Sequence, residues 1–460
     1  VCSNGLDTSH ENATMSTSSK WVYILLDVSV RVGPNELITD DPEVLREVSG
    51  TKSAYAKTEW YKGNRFNPYH DPMFLITDPA EHDRAKAKLS PAYSGRDAPD
   101  LEANIDEQIQ ELIKLIKRKY VFKSGDYRPM LWSRVAGLFT LDVISSLSLG
   151  KPFGCLSSDT DMHHFKDTLT RHVPIMSTAT DVAWLRRLIF SPIFLKLFGP
   201  SEKDTVGIGK LMKVANKIVR ERYRPDAKEK ADMLGSFKRH GLTLEECQTE
   251  SLFMFLAGSD TTATALRVAM LYIVASPPIY LRLKQEIFEA IREGRASSPI
   301  TNAESKRLPY LQAVIYESFR IRPTTTGKFY KEVPPGGEEI LGKFIPGGTS
   351  IGMNLPALLR SEDAFGPDAH VFRPERFLEV DQDVAAKMKR HVELMFGYGR
   401  WMCAGKPVAL IELNKIIFEL FRVFDIQLTE PGIAMASKAY IIFREEGPLL
   451  RVTETSIPSK

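Results

Sequence analysis

Apolar and polar positions alternate over "VRVGPNELITDD" (residues 30–41) around Gly33-Pro34, which predicts two short strands and a turn. The next run, "DPEVLREVSG", predicts a helix stopped at Gly50. From Leu101 onward the apolar spacing turns helical, as in "LEANIDEQIQELIKLIKRKY" and "MLWSRVAGLFTLDVISSLSLG". The charged run at residues 224–234 reads as a solvated loop. The stretch beginning "LTLEEC" opens with a capping box, Thr243 to Glu246, and stops at Ser276 before Pro277-Pro278. That predicts a helix of about thirty residues. Its middle, "LFMFLAGSDTTATAL", is apolar nearly all round, so the helix is expected to be buried. "LPYLQAVIYESFRIRP" is an amphipathic helix ended by Pro323, and residues 334–351 pack turn residues between short β runs. The expected fold class is mostly α with a minor β region (α+β), its small sheets near the N-terminus and in the C-terminal third.

Composition narrows the class without changing this outline. The chain has 460 residues, is 43% apolar and 26% charged, and carries a net charge of +3. That is a globular balance in one large domain or a few smaller ones, and it implies no nucleic-acid partner. The polar opening, residues 1–20, reads as a disordered or non-native segment, leaving 21–460 as the folded part. "WVYILLDVSV" is interrupted by Asp27 and falls short of the roughly 20 apolar residues of a membrane span. Either the protein is soluble or an anchor lies upstream of this sequence. The sequon at Asn12 reads as chance. Cys2, Cys155, Cys247 and Cys403 form no C-x-x-C pair, which argues against a zinc site or a disulfide framework.

Three places carry candidate chemistry. The buried helix contains Gly258, Asp260, Thr261 and Thr262, although glycine inside a helix costs roughly 1 kcal/mol against alanine. One reading is a helix bend, with threonine hydroxyls bonded to carbonyls one turn earlier. The other is a groove beside Ala257-Gly258 where a ligand approaches, with an acid–alcohol pair that hands over protons. Glu317 and Arg320 share a helix face, and Arg376 follows in "VFRPERFLE"; such pairs are commonly solvated, but the three could form a buried network. Cys403 lies between Gly399 and Gly405, just before a helix near Lys406-Pro407, where free N–H groups favour a thiolate. It reads as a small buried hydrophobe, a nucleophile or a metal ligand, and a single thiolate can also be the proximal ligand of a haem iron.

Taken together, these motifs resemble the cytochrome P-450 superfamily of haem-thiolate monooxygenases, over about residues 28–450. The F-x-x-G…C-x-G loop stands at Phe396, Gly399, Cys403 and Gly405. A-G-x-D-T-T stands at Ala257-Gly258-Ser259-Asp260-Thr261-Thr262, E-x-x-R at Glu317 and Arg320, and P-E-R-F at Pro374-Glu375-Arg376-Phe377. The wording of the loop and the long helix is similar to the fungal secondary-metabolism branch. The resemblance implies a single haem domain with haem b (iron protoporphyrin IX) and Cys403 as axial thiolate, whose electron push favours O–O cleavage. It makes Asp260 and Thr261 the proton-delivering pair and Glu317, Arg320 and Arg376 a structural triad that locks the loop presenting Cys403. Cofactor contacts are expected from His82, Lys86, Phe396, Arg400, Trp401, Gly405 and Ala257.

One departure stands out. Two residues before the cysteine the family usually has a basic residue for a haem propionate; here that position is Trp401, whose indole N–H could serve instead. The implied partners are an NADPH-dependent cytochrome P-450 reductase, dioxygen and a lipophilic small-molecule substrate. The substrate is expected against Phe253, Ala257, residues 323–327 and residues 59–74. The implied location is the cytoplasmic face of the endoplasmic reticulum membrane. Alternatives are a haem-thiolate isomerase or dehydratase, and a haem-binding protein without turnover.

Overall fold

The computed structural model describes residues 29–123, 127–432 and 435–455. The polar opening, the sequon and most of "WVYILLDVSV" lie outside these residues. The fold is mostly helical with small sheets, as the apolar spacing predicts.

The first strands, Ser29–Gly33 and Glu36–Thr39, pair antiparallel as a hairpin. Glu36–Thr39 then pairs parallel with Ser350–Met353, so a five-stranded sheet joins the first strands to a segment some 310 residues later. Its other members are Lys331–Glu332 and Ala56–Lys57. The helix Pro42–Ser49 follows the hairpin, with Asp41 accepting from the Glu43 and Val44 N–H groups and Gly50 at its end.

The long helix runs Leu244–Ala275, with both bonds of the capping box formed between Thr243 and Glu246. It packs lengthwise on Trp132–Leu149, itself buried along nearly all of its length. Two details fix this contact. Trp132 Nε1 donates to Leu266 O (3.1 Å), and a Cβ on Gly258 would lie 2.9 Å from Ile144 Cδ1. Gly258 is thus a notch for Ile144, which corrects the reading of a ligand groove on that side of the helix. The cost of a helical glycine is offset by closer packing of two apolar faces, each buried side chain of Ile or Leu size contributing about 1.5–3 kcal/mol.

Helices Pro309–Ile321 and Lys406–Val423 complete the interior by packing against the long helix. Between the first of these and the cysteine loop the chain forms the hairpin of Glu338–Ile340 with Lys343–Ile345.

Candidate active site

Gly397 and Gly399 turn the cysteine loop, both with left-handed φ (76° and 53°). A Cβ on Gly399 would collide with the Ser49 carbonyl, so the loop rests directly on the end of the Pro42–Ser49 helix. The Cys403 N–H donates to Phe396 O (2.6 Å), and the helix Lys406–Val423 begins just beyond. Burial pushes the Cys403 thiol up; the N–H groups of Gly405 and Lys406 and the ammoniums of Lys86 and Lys406 oppose that. The thiol is deep enough for burial to dominate, yet its own surface is open. It therefore faces a space inside the fold and not bulk water. Cys155 and Cys247 differ, for both are buried outright; Cys247 lies 3.1 Å from the Tyr223 hydroxyl.

The loop is braced from outside by two side chains expected to meet the cofactor. Lys86 donates to Arg400 O (2.7 Å) and Met402 O (3.0 Å). Arg400 turns outward, to Asp83 (3.0 Å) and to the carbonyls of Thr51 (2.9 Å) and Ser53 (3.2 Å).

A second group of donors collects around Trp401. The His82 ring lies 4.5 Å from the indole, and the ammoniums of Lys57 and Lys331 lie 4.8 and 5.7 Å from its centroid. Lys57 bonds Phe74 O (2.8 Å), while Lys331 bonds the Tyr61 hydroxyl and Phe329 O (both 2.9 Å). Burial depresses both lysines, Lys331 to about 7. Burial, and then the neighbouring lysines, hold the His82 imidazole neutral, down to about 2, so its 3.7 Å approach to Asp83 is not an ion pair. Trp401 Nε1 and His82 Nδ1 are buried without a hydrogen-bond partner. Such orphaned groups are rare and costly.

On the long helix, Thr261 is half-buried and its hydroxyl donates to Ala257 O (2.8 Å), the local bond expected of a helical threonine. Asp260 is buried and accepts from Arg267 (3.0 Å). Half-buried Tyr93, at the end of the helix Pro79–Tyr93, has its hydroxyl pushed up by burial and then by the charges of Glu250 and Cys403. Burial raises Glu250 to about 7 while its carboxylate accepts from the Met73 N–H.

Glu317, Arg320 and Arg376 do meet, each at most 1% exposed. Arg320 forks onto Glu317 with two 2.7 Å bonds, and Arg376 Nε reaches the same carboxylate at 3.0 and 3.1 Å. Both arginines also donate to backbone carbonyls of residues 359–371. The network thus pins that segment and not the cysteine loop itself. The same helix touches the loop region separately, through Phe319 against Phe396 (5.5 Å) and the Tyr316 hydroxyl on Glu393 (2.8 Å).

The expected substrate walls converge in part. Phe74 stacks on Phe253 (5.0 Å), and Trp60, Tyr61 and Phe329 form an aromatic cluster beside them. A Cβ on Gly327 would lie 3.1 Å from Trp60. Sequence reasoning missed Trp60 Nε1 bonding Asp181 (2.8 Å) and Thr180 closing on Gly63 O (3.0 Å). It missed Lys57, Lys331 and Glu250 as well, because an isolated charge in a mixed segment carries no periodic signal. Arg267 did carry one, as a lone arginine inside an apolar helical run.

Comparison with known proteins agrees with this geometry. The cytochrome P450 family model matches residues 28–446. Cytochrome P450 monooxygenase aba1 of Botryotinia fuckeliana is 48% identical over 428 residues, 93% of this chain and 84% of that protein. Cytochrome P450 monooxygenase ABA1 of Pyricularia oryzae is 44% identical over 429 residues, 92% and 84% of the two chains. The crystal structure of the cytochrome P450DA heme domain superposes with a TM-score of 0.74 at 18% identity, covering 93% of this chain and 90% of that one. The chain belongs to the cytochrome P450 family.

Proposed function

We propose that this chain is a haem-thiolate monooxygenase of fungal secondary metabolism. It takes electrons from an NADPH-dependent cytochrome P-450 reductase and inserts one oxygen atom of dioxygen into a lipophilic small molecule. The observation that carries this reading is the Cys403 thiol, deep in the fold and open on one side, at the start of the helix Lys406–Val423. Relatives named as monooxygenases support it.

The residues present fit haem b. Its iron takes a thiolate and its two carboxylates take donors, and here a thiol stands near buried Lys57 and Lys331 and the unpartnered nitrogens of Trp401 and His82. When bound, the haem supplies the redox chemistry of dioxygen activation. Cys403 ligates through its sulfur, held by the Gly405 and Lys406 N–H groups. Trp401 takes the part of the missing basic residue. Lys86 and Arg400 keep the loop in place, and Phe396 and Gly405 shape it. Asp260 and Thr261 pass protons beside Ala257, the aromatic cluster excludes water, and the Glu317–Arg320–Arg376 network is structural. The whole is one haem domain.

The test is the absorbance of the reduced, carbon-monoxide-bound protein. The red-shifted thiolate Soret band is expected in the parent and absent in Cys403→Ser; its absence from the parent overturns the reading. Reductase-dependent oxygen consumption then separates a monooxygenase from an isomerase.

We further place the protein on the endoplasmic reticulum membrane. Among the described residues no single helix is long and apolar enough to cross a membrane. The helices Ala183–Ile189 and Pro192–Phe198 instead expose Trp184, Leu188, Ile193, Leu197 and Phe198, each at least 53% accessible. Residues 182–200 contain Arg186, Arg187 and Lys196 and no acid, which suits an anionic lipid surface.

A further inference from the structure

The long helix changes character two turns before Ala257. Thr249, Phe253 and Ala257 recur at every fourth position, so they share a face, each step covering about 6 Å along the axis. At the Thr249 end this face borders a cavity of about 410 Å³, partly open to solvent. Phe66, Met212, Leu252 and Phe253 give it apolar walls. Amides stand between them: Asn64 and Asn67 at and just after the turn Glu59–Asn64, Asn216 from the helix Gly207–Arg222, and Gln248 from the long helix. Phe253 belongs both to this cavity and to the wall it forms with Phe74 (5.0 Å), so the cavity adjoins the expected substrate site.

Two of these amides are already committed. Asn67 Nδ2 donates to Thr249 Oγ1 (3.0 Å) and its Oδ1 accepts from the Tyr69 N–H (2.9 Å), while Asn216 Nδ2 donates to Glu202 (2.8 Å). The other two are not. Asn64 Nδ2 is buried with no partner, and no hydrogen bond ties Gln248 to another described residue. A buried amide donor left unmet is costly, and a bound oxygen removes that cost. Charge is absent from the lining. No described residue bordering the cavity is charged, and the two cations of the adjoining segment, Lys62 and Arg65, both turn onto Asp71 (2.6 Å each). An anion here would lose its hydration without gaining a counter-charge, whereas a neutral oxygen needs only the donor. The segment carrying Asn64 is held on the long helix by the Asn67–Thr249 bond and by the Met73 N–H on Glu250.

We propose that the substrate is a lipophilic molecule bearing a neutral hydrogen-bond acceptor, a carbonyl, ether or hydroxyl oxygen, and that Asn64 and Gln248 are the specificity-determining residues that receive it. The inference rests on the monooxygenase reading and names the substrate class for it. From Thr249 to Ala257 the helix face rises about 12 Å. The acceptor oxygen therefore lies about that far from the carbon presented beside Ala257, and oxidation falls at the end of the molecule remote from it. The reaction itself is unchanged: one atom of dioxygen enters that C–H bond, the other leaves as water, and NADPH supplies the electrons through the reductase. A pure hydrocarbon would displace water from Asn64 and give the donor nothing in return. Asn67 and Thr249 are positioning residues, since they bond each other and fix the segment.

The test uses methyl nonyl ketone, undecane and decanoate, chains of similar length that carry a neutral acceptor, none and a charge. Binding to the haem-loaded protein is measured by equilibrium dialysis, and the position of oxidation by mass spectrometry after turnover with the reductase. Asn64→Leu keeps the bulk and removes the donor. It should weaken the ketone about tenfold, as loss of one buried hydrogen bond does, and change undecane less than about twofold. In the parent the ketone is hydroxylated near the terminus far from its carbonyl, and in Asn64→Leu oxidation spreads along the chain. Gln248→Leu should weaken the ketone about threefold and stands in if Asn64→Leu does not fold. Equal losses for ketone and undecane overturn the inference, and so does a ketone affinity that neither variant changes. Decanoate binding the parent as tightly as the ketone overturns the neutral class. The two levels separate cleanly. If the ketone effect holds but no reductase-dependent product forms from any probe, the monooxygenase reading fails and the binding site stands. If product forms while the variants treat ketone and undecane alike, only the substrate class falls.

Discussion

The indole of Trp401 lies 4.5 Å from the imidazole of His82, and one nitrogen of each ring is buried with no partner in the protein. Each pays a desolvation cost of about 1–3 kcal/mol unless a ligand oxygen meets it. Haem carboxylates would do so. Trp401→Phe keeps the ring and removes the donor, so haem transfer to excess apomyoglobin should speed up about tenfold, the worth of one bond to a charged group. Trp401→Arg should restore retention. Equal release rates in parent and Trp401→Phe would show that the indole N–H holds nothing.

The buried network predicts a different kind of failure. Glu317 is the one carboxylate shared by Arg320 and Arg376, and its side chain is fully buried. Glu317→Gln leaves the Arg320 guanidinium without a counter-charge and Arg376 with Asp368 alone, a loss of about 3–5 kcal/mol. The expected result is a sharp fall in soluble yield and a lower urea midpoint, with no selective effect on substrate handling.

The seam between residues 59–64 and the helix Phe165–Asp181 has no slack. A Cβ on Gly63 would run into the side chain of Thr180. Gly63→Ala should therefore cost about 1–3 kcal/mol by overpacking, read as a lower thermal midpoint. Thr180→Ala in the same chain should return only part of it, because the Thr180 Cα is also within 2.8 Å of that Cβ. Full recovery, or no loss at all, would mean the seam is softer than drawn.

Glu250 makes stability depend on pH. Its folded value, about 7, is above the ordinary carboxylate range, so the folded chain holds more protons than the unfolded one in that window. Stability should fall as pH rises from about 4.5 to about 7 and then level off. Glu250→Gln keeps an acceptor for the Met73 N–H and should flatten that part of the curve, measured by thermal unfolding of the haem-free protein. A parent curve already flat there would contradict the assignment.

Lipid docking is open to a direct measurement. Replacing Trp184, Leu197 and Phe198 by serine should lower flotation with anionic phospholipid vesicles at least about tenfold, each large apolar side chain contributing on the order of 1 kcal/mol or more. Unchanged flotation would move the lipid contact elsewhere.

Much of this molecule was legible before any coordinates. Alternation foretold the first hairpin, and a capping box with a Pro-Pro stop bounded the longest helix to within a residue. The loop, the long helix and Glu317–Arg320 were legible because their residues are close in sequence. What stayed hidden depends on distant partners: Lys57 and Lys331 beside Trp401, Arg444 opposite Asp260, Asp181 under Trp60. No local spacing encodes such meetings. Gly258 shows the limit from the other side, since a helical glycine signals close approach without saying what approaches, and here it is Ile144.

The resting place of the cysteine loop has a consequence for how the protein matures. Gly399 lies against Ser49, and Arg400 bonds Thr51 and Ser53, some 350 residues earlier in the chain. Contacts of such long sequence separation close late. A growing chain has no Cys403 to offer until the 402 residues before it have been made, and its sulfur is in position only once the loop has met residues 49–53. Haem capture is then the closing event of folding, and damage at Ser49–Ser53 should yield a helical protein that fails to keep its haem.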